Sequence, residues 1–164
     1  MRRLMLGWSM VVAAALGACM PSPGFVEDAP PVGPSLRVTG VVDDTHALLT
    51  VEGRELGRVF GLSFHVLLDD ALVAVVAPEQ APVLGEGGLL MERVDGGDVA
   101  LGGSRPAREA GEVDVVDGAV ATLELRARAA GVSRVDIVDA VTRRLDGSFI
   151  PLAAAGGTLT LEAP

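Results

Sequence analysis

The sequence predicts an all-β domain built as a two-sheet sandwich, and three observations lead there. From Leu36 onward, apolar and polar residues alternate over short runs, with no stretch at helical spacing. Gly, Asp and Pro separate the runs, as turns require. Eight such runs lie between Leu36 and Leu161, which suits two packed sheets.

In chain order, the strands are expected at Leu36–Val42, Ala47–Val51, Phe60–Leu68, Leu72–Ala77, Val99–Leu101, Ala121–Ala129, Val135–Val138 and Gly157–Leu161. Phe60–Leu68 is the clearest: Phe60, Leu62, Phe64, Val66 and Leu68 point one way, and Ser63 and His65 the other. In Ala121–Ala129, Leu123, Leu125 and Ala127 share one face, while Thr122, Glu124, Arg126 and Arg128 take the wet one. Asp95-Gly96-Gly97, Asp117-Gly118 and Asp146-Gly147 are turn signals between strands.

The N-terminus differs in kind. Met1-Arg2-Arg3 precedes an uncharged run from Leu4 to Ala18, and Pro21 and Pro23 follow soon after. The run is short for a membrane span, which needs roughly 20 apolar residues, so it reads as a signal peptide over residues 1–18. Leu16-Gly17-Ala18-Cys19 resembles the lipobox of bacterial lipoproteins, in which the Cys carries lipid such as palmitate. That resemblance implies a lipid anchor on Cys19 in a bacterial cell envelope. Met20 after the Cys favours the outer membrane. Residues 19–35, with five Pro after Cys19, read as an extended tether at about 3.1 Å per residue, and residues 36–164 as one domain.

Composition narrows the partners. Removing the leader leaves 11 Arg, no Lys and 22 acidic residues, a formal charge of −11 that disfavours nucleic acid and adhesion to anionic lipid. The single Cys leaves no disulfide, so the core must supply stability.

Catalytic and metal motifs fail on context. Gly61-Leu62-Ser63-Phe64-His65 has half of a nucleophile elbow, but His65 stands where Gly is needed and the Ser lies inside a regular strand. Gly85-Glu86-Gly87-Gly88 precedes no helix that could present its N-terminus to phosphate. His46 and His65 have no partners at zinc spacing, so no metal and no cofactor is expected. Asp43-Asp44, Asp69-Asp70, Asp114 and Asp117 could offer oxygen to Ca²⁺, though solvated turns explain them better and no EF-hand loop is present.

Three segments resemble the cohesin domain, within the carbohydrate-binding β-sandwich superfamily. They are Leu49–Gly53 followed by Val59–Asp69, then Gly118–Ser133, then Asp146–Pro151 with Gly157–Leu161. Leu68 stands where the family usually has Tyr. The resemblance implies a jelly-roll-like sandwich of about nine strands and a non-catalytic role, binding a dockerin-like or envelope protein. Polysaccharide binding and a structural envelope role are the alternatives; four Phe and no Tyr or Trp after residue 18 make a poor sugar platform. Alternation makes Ser63, His65, Glu124, Arg126 and Arg128 the candidate binding face.

Overall fold

The computed structural model describes residues 22–81, 83–85, 88–106 and 111–164. The leader and Cys19 lie outside the described residues. Twelve strands follow one another: β1 (Gly24–Glu27), β2 (Ser35–Asp43), β3 (His46–Val59), β4 (Gly61–Leu67), β5 (Val73–Gln80), β6 (Leu89–Asp95), β7 (Asp98–Ser104), β8 (Val113–Ala127), β9 (Gly131–Arg143), β10 (Phe149–Pro151), β11 (Ala153–Ala155) and β12 (Gly157–Leu161). No described helix is long and apolar enough to cross a membrane.

The strands form the expected sandwich. One sheet runs β1-β12-β9-β4-β7-β6, with β10 on β9, and the other runs β11-β2-β3-β8-β5. Between them lies one core, to which β2 and β3 give Leu36, Val38, Leu49 and Val51, β8 gives Leu123 and Leu125, and β4 gives Leu62, Phe64 and Val66. Each fully buried Leu contributes about 1.5–3 kcal/mol. The described strands and core side chains all fall between Gly24 and Leu161.

Two expectations need correction. Among the described residues the strands number twelve, against the nine or so expected. The additions that carry no alternation are β1, β10 and β11, too short to show any, and β6, exposed on both faces.

The second concerns residues 19–35, read as tether. Gly24–Glu27 pairs antiparallel with Gly157–Thr160, so the sandwich begins ahead of Leu36. The cause is steric: Phe25 lies over Gly157 and Gly40, where a Cβ on Gly157 would come 2.3 Å from the ring tip. Asp28 extends the attachment, its N–H donating to the Gly156 carbonyl and its carboxylate receiving the Arg134 guanidinium. That guanidinium holds the Asp28 carboxyl below its ordinary range.

Candidate binding face

Every outward residue sits in a row set by ladder register, because directly paired residues share a face. On the β9-β4-β7-β6 sheet, one row reads Val141, Ser63, Gly102, Met91, and the next Val138, His65, Ala100, Arg93. Beyond the first row stand Arg143 and Gly61, with Phe149 of β10 opposite Arg143. The Arg143 guanidinium carbon lies 5.9 Å from the centroid of the Phe149 ring, a cation–π contact.

Down the middle of this face run Gly61, Ser63, Ala100 and Gly102, residues with little or no side chain. Met91 and Arg93 rise on one side, with Arg143 and the exposed Phe149 on the other. The result is a shallow depression of about 340 Å³ around Ser63, His65 and Gly102, continued by one of about 190 Å³ towards Phe149.

The floor is also kinked. Ser63 pairs with Val141 and His65 with Val138, so two residues of β9 oppose Phe64 alone. Within this bulge Asp139 takes a φ of 52°, a left-handed conformation that Asp tolerates better than most residues. The bulge puts Asp139 among the residues that line the depression. Nothing in the sequence marks it, since Val138-Asp139-Ala140 reads as plain strand.

His65 Nδ1 lies 2.8 Å from Asp98 Oδ1, and both side chains are about one-third exposed. Among the described residues Ser63 has no hydrogen bond to His65, so hydroxyl, imidazole and carboxylate do not form a relay. No group of three or more His, Cys, Asp or Glu among the described residues is arranged to hold a metal ion.

The five candidate residues do not form one surface. Ser63 and His65 lie on β4, whereas Glu124 and Arg126 lie on β8 in the opposite sheet, facing away. Glu124 pairs with Leu48, and Arg126 with His46. Arg128 stands past the end of β8, its guanidinium donating to the Asp70 carbonyl at 3.1 Å. Alternation sorts inward from outward along each strand but does not say which sheet a strand joins.

A wider, open hollow of about 740 Å³ lies around Glu112, Arg144 and Asp146. Its polar groups are engaged within the chain: Leu145 N–H donates to Glu112, Ser148 N–H to Asp146, and Arg144 to the Arg58 carbonyl. The Ser148 N–H also holds the Asp146 carboxyl below its ordinary range. These contacts build a turn, and the β4-centred depression is the stronger candidate site.

No family model matches the sequence, and comparison with curated proteins finds no match. Solved structures do match. The chain is similar to a cohesin of Clostridium acetobutylicum solved in solution, with a TM-score of 0.65 and 15% identity over 79% of this chain and 91% of that one. It is similar to the sixth cohesin of scaffoldin B from Acetivibrio cellulolyticus, solved in complex with a Cel5 dockerin mutant, with a TM-score of 0.64 and 13% identity over 79% and 99%. A non-cellulosomal cohesin from the archaeon Archaeoglobus fulgidus gives 0.57 and 10% identity over 76% and 88%. At such identities the likeness establishes the fold: an all-β sandwich of the cohesin kind.

Proposed function

We propose that this chain is a non-catalytic protein-binding module of the cohesin kind, and that its partner, of dockerin type, docks on the outer face of β9-β4-β7-β6. The observation that carries the reading is the depression around Ser63 and Gly102, flanked by Met91 and Phe149, on a fold whose solved relatives include one bound to a dockerin. A small-residue floor lets a partner's side chains approach the sheet, and the apolar flanks supply burial. Sugar binding is the weaker reading, because Phe149 is the one exposed aromatic ring among the described residues.

We also propose that the module is exported, lipidated on Cys19 and held at a bacterial envelope, the outer membrane favoured. The support is the lipobox-like Leu16-Gly17-Ala18-Cys19. Mass spectrometry of the membrane-extracted chain should find an acylated Cys19 at its N-terminus, and Cys19→Ser should release the domain from the membrane fraction.

For binding, the test is calorimetric titration of residues 22–164 against a panel of dockerin modules. At least one should bind, and Ser63→Arg should weaken it about 30-fold or more, the loss expected at an interface centre. Thr122→Arg, outward on the opposite sheet, should change little. Failure of every dockerin to bind, or loss through Thr122→Arg alone, would refute the assignment.

A further inference from the structure

We propose that the outer edge of β6 is a self-association site, on which a second copy of this chain lays its own β6 antiparallel, with Met91 opposite Met91. The inference goes beyond partner binding and does not depend on it.

The sandwich treats its edges unequally. A free edge presents unpaired N–H and C=O groups, and folds commonly blunt such edges with short strands, Pro or bulges. Three edges are blunted here. β1 has four residues and β11 three, and β5 carries a register shift between Val75 and Ala77, followed by Pro78. The outer edge of β6 has none of these devices. It runs seven residues from Leu89 to Asp95 in unbroken register with β7, contains no Pro or Lys, and pairs with no other described strand. All seven residues are exposed, among them Leu89, Leu90, Met91 and Val94 at 57%, 42%, 69% and 44%.

The ladder shows which groups are free. In an antiparallel pair, a residue's N–H and C=O point to the same side, and successive residues alternate. The Leu68 N–H donates to the Gly97 carbonyl, and the Arg105 N–H to the Phe60 carbonyl. The odd-numbered residues of β7 therefore face β4, and Asp98, Ala100, Gly102 and Ser104 face β6. Their partners Asp95, Arg93, Met91 and Leu89 are spent on β7, which leaves the backbones of Leu90, Glu92 and Val94 pointing outward.

An incoming β6 must bring its own outward residues opposite these, which permits five registers, centred on each residue from Leu90 to Val94. One sets Glu92 against Glu92, another Arg93 against Arg93, and like charges directly opposed are destabilising. A third, centred on Leu90, and a fourth, centred on Val94, shorten the overlap between strands. The remaining register sets Met91 against Met91, Leu89 against Arg93 and Leu90 against Glu92, with no like-charge pair and an apolar centre. Its two-fold axis stands normal to the sheet, so the β4-centred faces of both copies look the same way, side by side.

An interface this small is weak, and should appear as a rise in sedimentation coefficient of residues 22–164 between roughly 10 µM and 1 mM. Glu92→Pro removes an outward N–H and leaves every β6–β7 hydrogen bond in place, so the variant should stay folded by circular dichroism and remain monomeric. Should that variant misfold, Met91→Arg decides, since it opposes two charges at the centre and leaves the backbone alone. In this register the two Met91 Cα atoms lie about 4.5 Å apart, within disulfide reach, so Met91→Cys should give a covalent dimer on oxidation. A monomer at every concentration, a dimer that survives Met91→Arg, or a Met91→Cys chain that stays uncrosslinked would each overturn the proposal.

Discussion

The two outer faces of the sandwich arise from the same alternation, yet they differ in relief. The β4-centred face runs Gly61, Ser63, Ala100 and Gly102 through its middle. Its counterpart has Thr39, Thr50 and Thr122 in one row and Val41, Leu48 and Glu124 in the next, a branched, long or charged side chain at each place. Opposite charges satisfy one another across strands there, as Arg37 and Glu52 do with a 2.8 Å hydrogen bond. Outwardness alone therefore does not make a site. A face already satisfied by its own neighbours offers less than one whose floor is left low.

The largest expected effect tests what the two faces share. Leu123 is fully buried between the sheets, and Leu123→Ala should cost about 2–5 kcal/mol in denaturant unfolding, by lost transfer and by the cavity left behind. Both faces should fail together; a variant that unfolds at the wild-type midpoint would mean the sheets do not share one core. Next comes the contrast itself. Phe149→Ala should weaken the best-bound dockerin about 10-fold, a loss of some 1.4 kcal/mol, whereas Leu48→Ala on the far face should leave it within about 2-fold. Equal losses would erase the distinction. Smaller still, Arg37→Ala should cost only about 0.2–1 kcal/mol, because the Arg37–Glu52 pair is partly exposed.

The smallest effect is a pH dependence. The Arg134 guanidinium depresses the Asp28 carboxyl below its ordinary 3.8, so its contribution is complete above that value and fades as the pH falls through the lower folded-state value. Asp28→Asn should lower the melting temperature slightly at neutral pH, and the difference from wild type should close in acid below about pH 3.8. A difference that persists unchanged at low pH would show that the pair does not fasten β1 to the β9 side.

Strands buried on one face were legible in the sequence. Phe60–Leu68 and β4 agree to a residue at each end, and Gly157–Leu161 matches β12. Length was less legible: β3 continues past Val51 to Val59 through two register shifts, with Glu55 at φ 51° and the buried Leu56 breaking the alternation. β6 was missed because an edge strand wet on both sides needs no alternation. For the candidate site, alternation found Ser63 and His65 but grouped them with Glu124 and Arg126, since pairing order is set by contacts far apart in the chain. Gly102, Met91 and Phe149 carry no chemical motif, and their roles follow only from their place in the rows.

The attachment of β1 also governs how the domain bears load. Its first residue, Gly24, lies beside Thr160 at the end of the sandwich where the chain enters, and the strand then runs along β12 towards Gly157. A pull on the chain ahead of Ser22, directed away from the body, is therefore applied along the strand. The hydrogen bonds between β1 and β12 lie across that direction and resist in shear, all at once, instead of parting one by one. The Phe25 ring, lodged over Gly157 and Gly40, must be dragged from its seat before the strand can slide. The segment that reads as a loose leash is thus built as a mechanical clasp between that end of the chain and the sheet.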